Sequence, residues 1–197
     1  MSRRPAALVL SASTLLAAVL LTGCRVPEPE PSGTTTPSVE PSESASPPAS
    51  PSPSAQPSST PVDIACDVLV TREAMYEVNP NFSLLAEWTP DAGTPAAEAL
   101  AADGVACRWQ NDTSGDPVDI SVASFDTAAL EAKKNATYSA STMVPTYGGD
   151  EGYFTVADGV GEAVVFVDSY WLVVRSPVFL EPGDAEPIVS AALSALG

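Results

Sequence analysis

With 197 residues, a formal net charge of -17 and no histidine, the chain lacks the basic face that polyphosphate binding needs, so a nucleic-acid partner is not expected. The missing histidine also removes Ser-His-Asp and Cys-His catalysis. Roughly the first sixty residues are too poor in core-forming side chains to pack, which leaves one domain of ordinary size in the remainder.

Arg3 and Arg4 make a short basic start, and the apolar run from Pro5 to Leu21 suits a signal-peptide core while being short for a membrane span. Leu21, Thr22, Gly23 and Cys24 then read as a bacterial lipobox. Thr22 and Gly23 are small enough to admit a peptidase to the backbone before Cys24, and the Cys24 sulfur can take a lipid through a thioether. Residues 1–23 are therefore expected to be a signal peptide and Cys24 the lipidation site. Two or three acyl chains such as palmitate hold a protein stably where one is marginal. The expected location is the outer face of the cytoplasmic membrane, held by lipid without a spanning segment. Residues 24–60 are dominated by Pro, Ser, Thr, Glu and Ala, a composition that forms an extended, disordered tether at about 3.1 Å per residue. Ser and Thr beside Pro also suit O-glycosylation, a bare spacer being the other reading.

Residues 61–197 are expected to fold. Thr71 can cap a helix to Val78 with Ala74, Met75 and Val78 on one face. Residues 79–103, punctuated by Pro80, Pro90, Gly93 and Pro95, read as an irregular insertion with a short helix at Ala96 to Ala102. Val105, Cys107 and Trp109 alternate with polar or small residues, and so do Val118, Ile120 and Val122, which predicts a hairpin. Asp126 can cap a helix to about Thr137. Gly152 to Val156, Glu162 to Asp168 and Tyr170 to Arg175 read as strands, with a tight turn at Asp168 and Ser169. Gly183 and Asp184 open a closing helix with Pro187 in its first turn and an apolar stripe at Val189, Ala192, Leu193 and Leu196. The fold class expected is α+β, a single mainly antiparallel sheet of about five strands with helices packed on one face.

Cys24 being assigned to lipid, Cys66 and Cys107 remain for the exported domain, which suggests one disulfide, two buried free thiols being the other reading. The lipobox at Cys24, the Pro/Ser tether, Cys66 just before the helix from Thr71, and Cys107 two before Trp109 together resemble the small uncharacterised lipoproteins of actinobacteria. That resemblance implies an α+β domain with a disulfide from the first helix region to the first strand, and it brings no catalytic residues and no cofactor.

Candidate sites are few. Asp112, Asp116 and Asp119 crowd one turn, but their spacing does not follow an EF-hand loop and Pro117 interrupts it, so a solvated acidic hairpin is expected and no metal. Asp150 and Glu151 sit beside Tyr147 and Tyr153 on a glycine-rich loop, a pairing that could serve acid-base hydrolysis only across a defined cleft. If Tyr170 and Leu172 face the helices, Trp171, Val173 and Arg175 form an outward row, with Arg175 placed to meet an anion. Trp171, Val173, Arg175, Tyr147 and Tyr153 are the expected binding surface, a covering loop over that face being the other reading. The function expected is that of a non-catalytic binding or accessory module in the bacterial cell envelope, its partner an envelope protein or small envelope molecule. A carrier holding a lipid or glycan in an internal pocket is the alternative, with an envelope hydrolase third.

Overall fold

The computed structural model describes residues 58–197. Cys24, the signal segment 1–23 and the tether through residue 57 lie outside the described residues. The elements run β1 Ser59–Thr60, α1 Cys66–Leu69, α2 Arg72–Val78, β2 Phe82–Leu84, α3 Pro95–Ala101, β3 Val105–Asn111 and β4 Pro117–Phe125. There follow α4 Thr127–Ala140, β5 Thr142–Met143, a 3-10 turn at Pro145–Tyr147, β6 Glu151–Ala157, β7 Val160–Val167, β8 Tyr170–Ser176 and α5 Pro182–Leu196.

The alternating patterns become one eight-stranded sheet in the order β2-β3-β4-β8-β7-β6-β5, with β1 paired to β4. Every pairing is antiparallel. Five strands were expected, and the three others are β1, β2 and β5, which hold two or three residues each. Runs that short carry no readable alternation. Strand β3 covers β4 as far as Val122, and β1 takes Phe125 and Ser124 beyond it, so β1 lies end to end with β3 along the same neighbour. The fold therefore begins inside the stretch assigned to the tether, at Ser59.

Helices cover both faces of the sheet, which corrects the expectation of one covered face. On the first face Leu69 and Val70 at α1, Met75 of α2, and Ala185, Ile188, Val189 and Ala192 of α5 pack on Cys107, Trp109, Val118, Ile120, Leu172 and Val174. On the second, Ala99 and Ala102 at α3 and Leu130 of α4 pack on Ala123, Phe125, Tyr153, Val164, Phe166, Trp171 and Val173. The period of two explains the division, since successive residues of a strand point to opposite faces. What the pattern hid is that β4 and β8 are buried at every position from Ile120 to Phe125 and from Trp171 to Val174, with Ser121 and Ser124 among them, as strands covered on both sides are. Each large side chain taken out of water here stabilises by about 1.5–3 kcal/mol before entropy is counted.

The local signals acted largely where expected. Thr71 caps α2 by accepting from the Ala74 N–H at 3.2 Å, and Asp126 caps α4 by accepting from the Ala129 N–H at 2.8 Å. Helix α5 starts earlier than read: Glu181 and Asp184 form a reciprocal capping box, so Pro187 lies inside the helix and not in its first turn. Asp158 and Gly159, both at positive φ, close the two-residue hairpin between β6 and β7. The insertion 79–103 holds β2 and α3, the latter one residue earlier than read. Cys66 and Cys107 form a disulfide with Cα atoms 5.6 Å apart, joining α1 to β3.

Candidate functional site

The row expected to face solvent is covered. Leu172 does face the α5 side and Trp171 the other, as the alternation requires, but α3 and α4 lie on that other side. Trp171 is 6% exposed and Val173 1%. The Lys133 ammonium of α4 sits 3.8 Å from the Trp171 ring centre and 4.9 Å from that of Phe125, and it donates to Glu98 of α3 at 2.6 Å. The stem and charge of Lys133 seat the helix on these aromatic rings. Tyr147 and Tyr153 are buried as well, because both side chains turn into the core. The Tyr147 hydroxyl donates to the Pro182 carbonyl at 2.8 Å.

Arg175 alone of the five reaches solvent, and it does so within a charged row. Arg108, Asp119, Arg175 and Glu162 stand side by side on β3, β4, β8 and β7. Asp119 spends both carboxylate oxygens on Arg108, at 2.6 and 2.7 Å, and Trp88 stacks on the same guanidinium with its ring centre 4.1 Å away. The Asp119 carboxylate raises the Arg108 pKa further. Arg175 is 3.6 Å from Glu162, whose own pKa is raised because burial penalises its charge more than Arg175 relieves it. Matched charges across strands stabilise a sheet modestly and leave the row close to neutral. It is a structural feature of the face beside α3.

The loop carboxylates are also committed. Asp150 accepts from the Asp168 N–H at 3.0 Å and so holds the β7–β8 turn. Glu151 accepts from the Tyr153 hydroxyl at 2.5 Å and lies 3.3 Å from Lys134 of α4. The two point to different tasks and do not face one cleft. Asp112, from the acidic turn, accepts from the Ser83 hydroxyl at 2.8 Å. Among the described residues no three His, Cys, Asp or Glu side chains are grouped to hold a metal ion.

The Glu151–Tyr153 bond gives a pH prediction. The bond to Glu151, then burial, pushes the Tyr153 pKa up to about 12, while the same bond, acting first, lowers that of Glu151. A tyrosine whose folded pKa exceeds its unfolded value near 10 stabilises fully below that value, and the contribution disappears as pH climbs through about 12. Glu151 works in the opposite sense: its contribution is present above its unfolded pKa and fades as pH falls below it. Melting temperature measured against pH should drop above pH 10 in the native chain and drop less in Tyr153→Phe. The acid limb of the variant should be shallower as well, because without Tyr153 the Glu151 pKa is lowered less and there is less carboxylate-linked stability to lose. Identical alkaline limbs in the two proteins would rule the bond out as a stabilising element.

The feature without a structural purpose lies at the β5–β6 edge. Strand β5 pairs with β6 only at Phe154 and Tyr153, and then the chain backs into the end of α4. Gly152 gives its carbonyl to the Val144 N–H at this edge, and residues two apart repeat that direction. The N–H and C=O of Val156 therefore point outward past the end of β5, with no partner among the described residues. Beside them is an open groove of about 520 Å³, lined by Ser139 to Thr142, Phe154 to Val156 and Leu180 to Pro182.

Exposed apolar side chains gather around this groove. Leu180 is 74% exposed and Val156 47%, while Tyr138 and Met143, at 67% and 51%, flank the lining stretch Ser139 to Thr142 in the chain. Leu180 is held out by its own loop. Phe179 is buried against Gly161, where an added Cβ would come within 2.2 Å of the Phe179 carbonyl oxygen. Anchoring Phe179 there leaves its neighbours Val178 and Leu180 outside. None of these residues was singled out from sequence. The available signal was Val178, Phe179 and Leu180, an apolar triplet between Pro177 and Pro182 in which only the middle residue can be buried.

Compared with models of protein families, with curated proteins and with solved structures, the chain matches none.

Proposed function

We propose that this chain is a lipid-anchored, non-catalytic recognition module of the bacterial cell envelope, of the kind the small actinobacterial lipoproteins represent, and that it meets its partner at the β5–β6 edge. The observation that carries the reading is the exposure of Val156 and Leu180 in one groove, whose lining stretch Ser139 to Thr142 is flanked in the chain by the exposed Tyr138 and Met143. Apolar groups brought together at a rim mark interaction sites, whereas apolar residues scattered singly need no explanation. Side chains as large as Trp109, Tyr153 and Phe166 fill the layers on both sides of the sheet, which favours a surface over a carrier's internal pocket. The Leu21 to Cys24 pattern supplies the anchor.

The test replaces Leu180 with a photo-crosslinking amino acid in the full chain, expressed in bacteria that lipidate exported proteins, and compares it with the same replacement at Tyr76. Tyr76 is 61% exposed, lies on α2 and is not among the residues that line the groove. A discrete adduct from position 180 and none from position 76 is expected. Cys24→Ser should leave the domain folded, abolish recovery with membranes after a high-salt wash, and weaken the adduct. Equal adducts from both positions, or membrane retention of the Cys24→Ser chain, would defeat the proposal.

A further inference from the structure

We infer that the partner presents an extended, cationic peptide segment, which adds as a strand alongside β6 at Val156. The inference rests on the recognition reading above and gives its partner a chemistry. Main-chain pairing is what this edge offers: one outward N–H and one outward C=O on Val156, at the floor of a groove left open because β5 ends two residues after it begins. Strand addition uses such a pair for affinity and takes specificity from alternate side chains. A residue opposite Val156 would share its face and lie by Leu180. Its neighbours in the added strand would point to the other face, which Met143 shares through its pairing with Tyr153.

Charge chooses among occupants. The residues that line the groove include Glu181 and no lysine or arginine. Over residues 58–197 the cations are Arg72, Arg108, Lys133, Lys134 and Arg175, and all but Arg72 are in ion pairs. The domain therefore presents a negative field with little local compensation. A second copy would bring the same field against itself, and an anionic lipid surface would be repelled, whereas a basic segment gains in encounter rate and affinity. An exposed strand edge that avoids pairing with copies of itself is also what like charge achieves.

The experiment uses the full chain and two synthetic hexapeptides, one alternating Lys with Val and one alternating Glu with Val. Peptide binding is read by fluorescence anisotropy and the Val156 amide by hydrogen exchange. The Lys–Val peptide should bind, weaken several-fold when salt is raised, and slow exchange at Val156, while the Glu–Val peptide should not bind. Val156→Pro removes the outward donor at an edge where proline is tolerated, and should cut binding at least about tenfold. Leu180→Ser, at a position too exposed to matter for folding, should also weaken it, which keeps the test decisive if the proline variant misfolds. Equal binding of both peptides, unprotected Val156, or unchanged affinity in Leu180→Ser would overturn the inference, as would self-association that Leu180→Ser abolishes. Adducts at position 180 without any Lys–Val binding would sink the cationic strand and leave the recognition surface standing.

Discussion

Replacing Cys66 and Cys107 together with alanine is expected to cost about 4 kcal/mol of folding stability. The disulfide closes a loop of 41 residues in sequence separation, and in the chain-entropy model a loop of that size restrains the unfolded chain by about that amount at room temperature. Domains of this size have a total stability of about 5–15 kcal/mol, so the doubly substituted chain should sit near its unfolding limit, with a melting temperature lower by about 10 °C or more. The loop spans α1, α2, β2 and α3, which contribute small elements on both faces of the sheet. Urea unfolding of native and substituted chains, with wild type under reductant as a third sample, measures the effect. A change below about 1 kcal/mol would mean that the unfolded chain is already held together by other contacts.

Gly161→Ala should be the most damaging single methyl group that can be added near the groove. The new Cβ would fall 2.2 Å from the Phe179 carbonyl oxygen and 2.6 Å from the Phe179 Cβ, and neither can turn aside as a side-chain tip could. Overpacking of this kind costs about 1–3 kcal/mol, sometimes more. The relief available is to lift the loop from Pro177 to Glu181, which would expose Phe179 and move Leu180 from the groove. Adduct formation from position 180 should therefore fall together with stability. Gly183→Ala is the counterpart: nothing lies within 4 Å of its Cβ and it sits in the first turn of α5, so removing a helical glycine should stabilise by about 0.5–1 kcal/mol. Thermal unfolding of the two variants with opposite signs is the expected result, and two shifts of the same sign would show that the close approach at Gly161 is not rigid.

These two positions show where the sequence is readable and where it stops. The alternation at Val105 to Trp109 and Val118 to Val122 disclosed the hairpin, and the caps at Thr71 and Asp126 located two helices, because each is a local rule with a side chain to carry it. The count of cysteines in the folding part pointed to the pairing of Cys66 with Cys107. Burial of Trp171 was not readable, since alternation tells which residues share a face and says nothing of what covers it. Covering came from α4, whose lysines work as aliphatic stems and cations over rings. Gly161 lies just outside the strand read from Glu162 to Asp168, and only the approach of a loop sixteen or more positions later in the chain makes it necessary. The groove was hidden for the same reason: it exists because β5 stops short, and a strand of two residues leaves no pattern.

The end-to-end placement of β1 and β3 has a mechanical consequence. A pull on the chain from its N-terminal side meets β1 first, whose two residues hold β4 at Ser124 and Phe125. Once those few bonds peel, only the residues up to Cys66 can pay out. The load then passes through a covalent sulfur bridge to Cys107 in the middle of β3, next to the central strands of the sheet. The domain has a short compliant fuse in series with a stiff clamp, so tension on a tether would extend it by a few residues and leave the β5–β6 edge, on the other side of the sheet, in its unstressed shape.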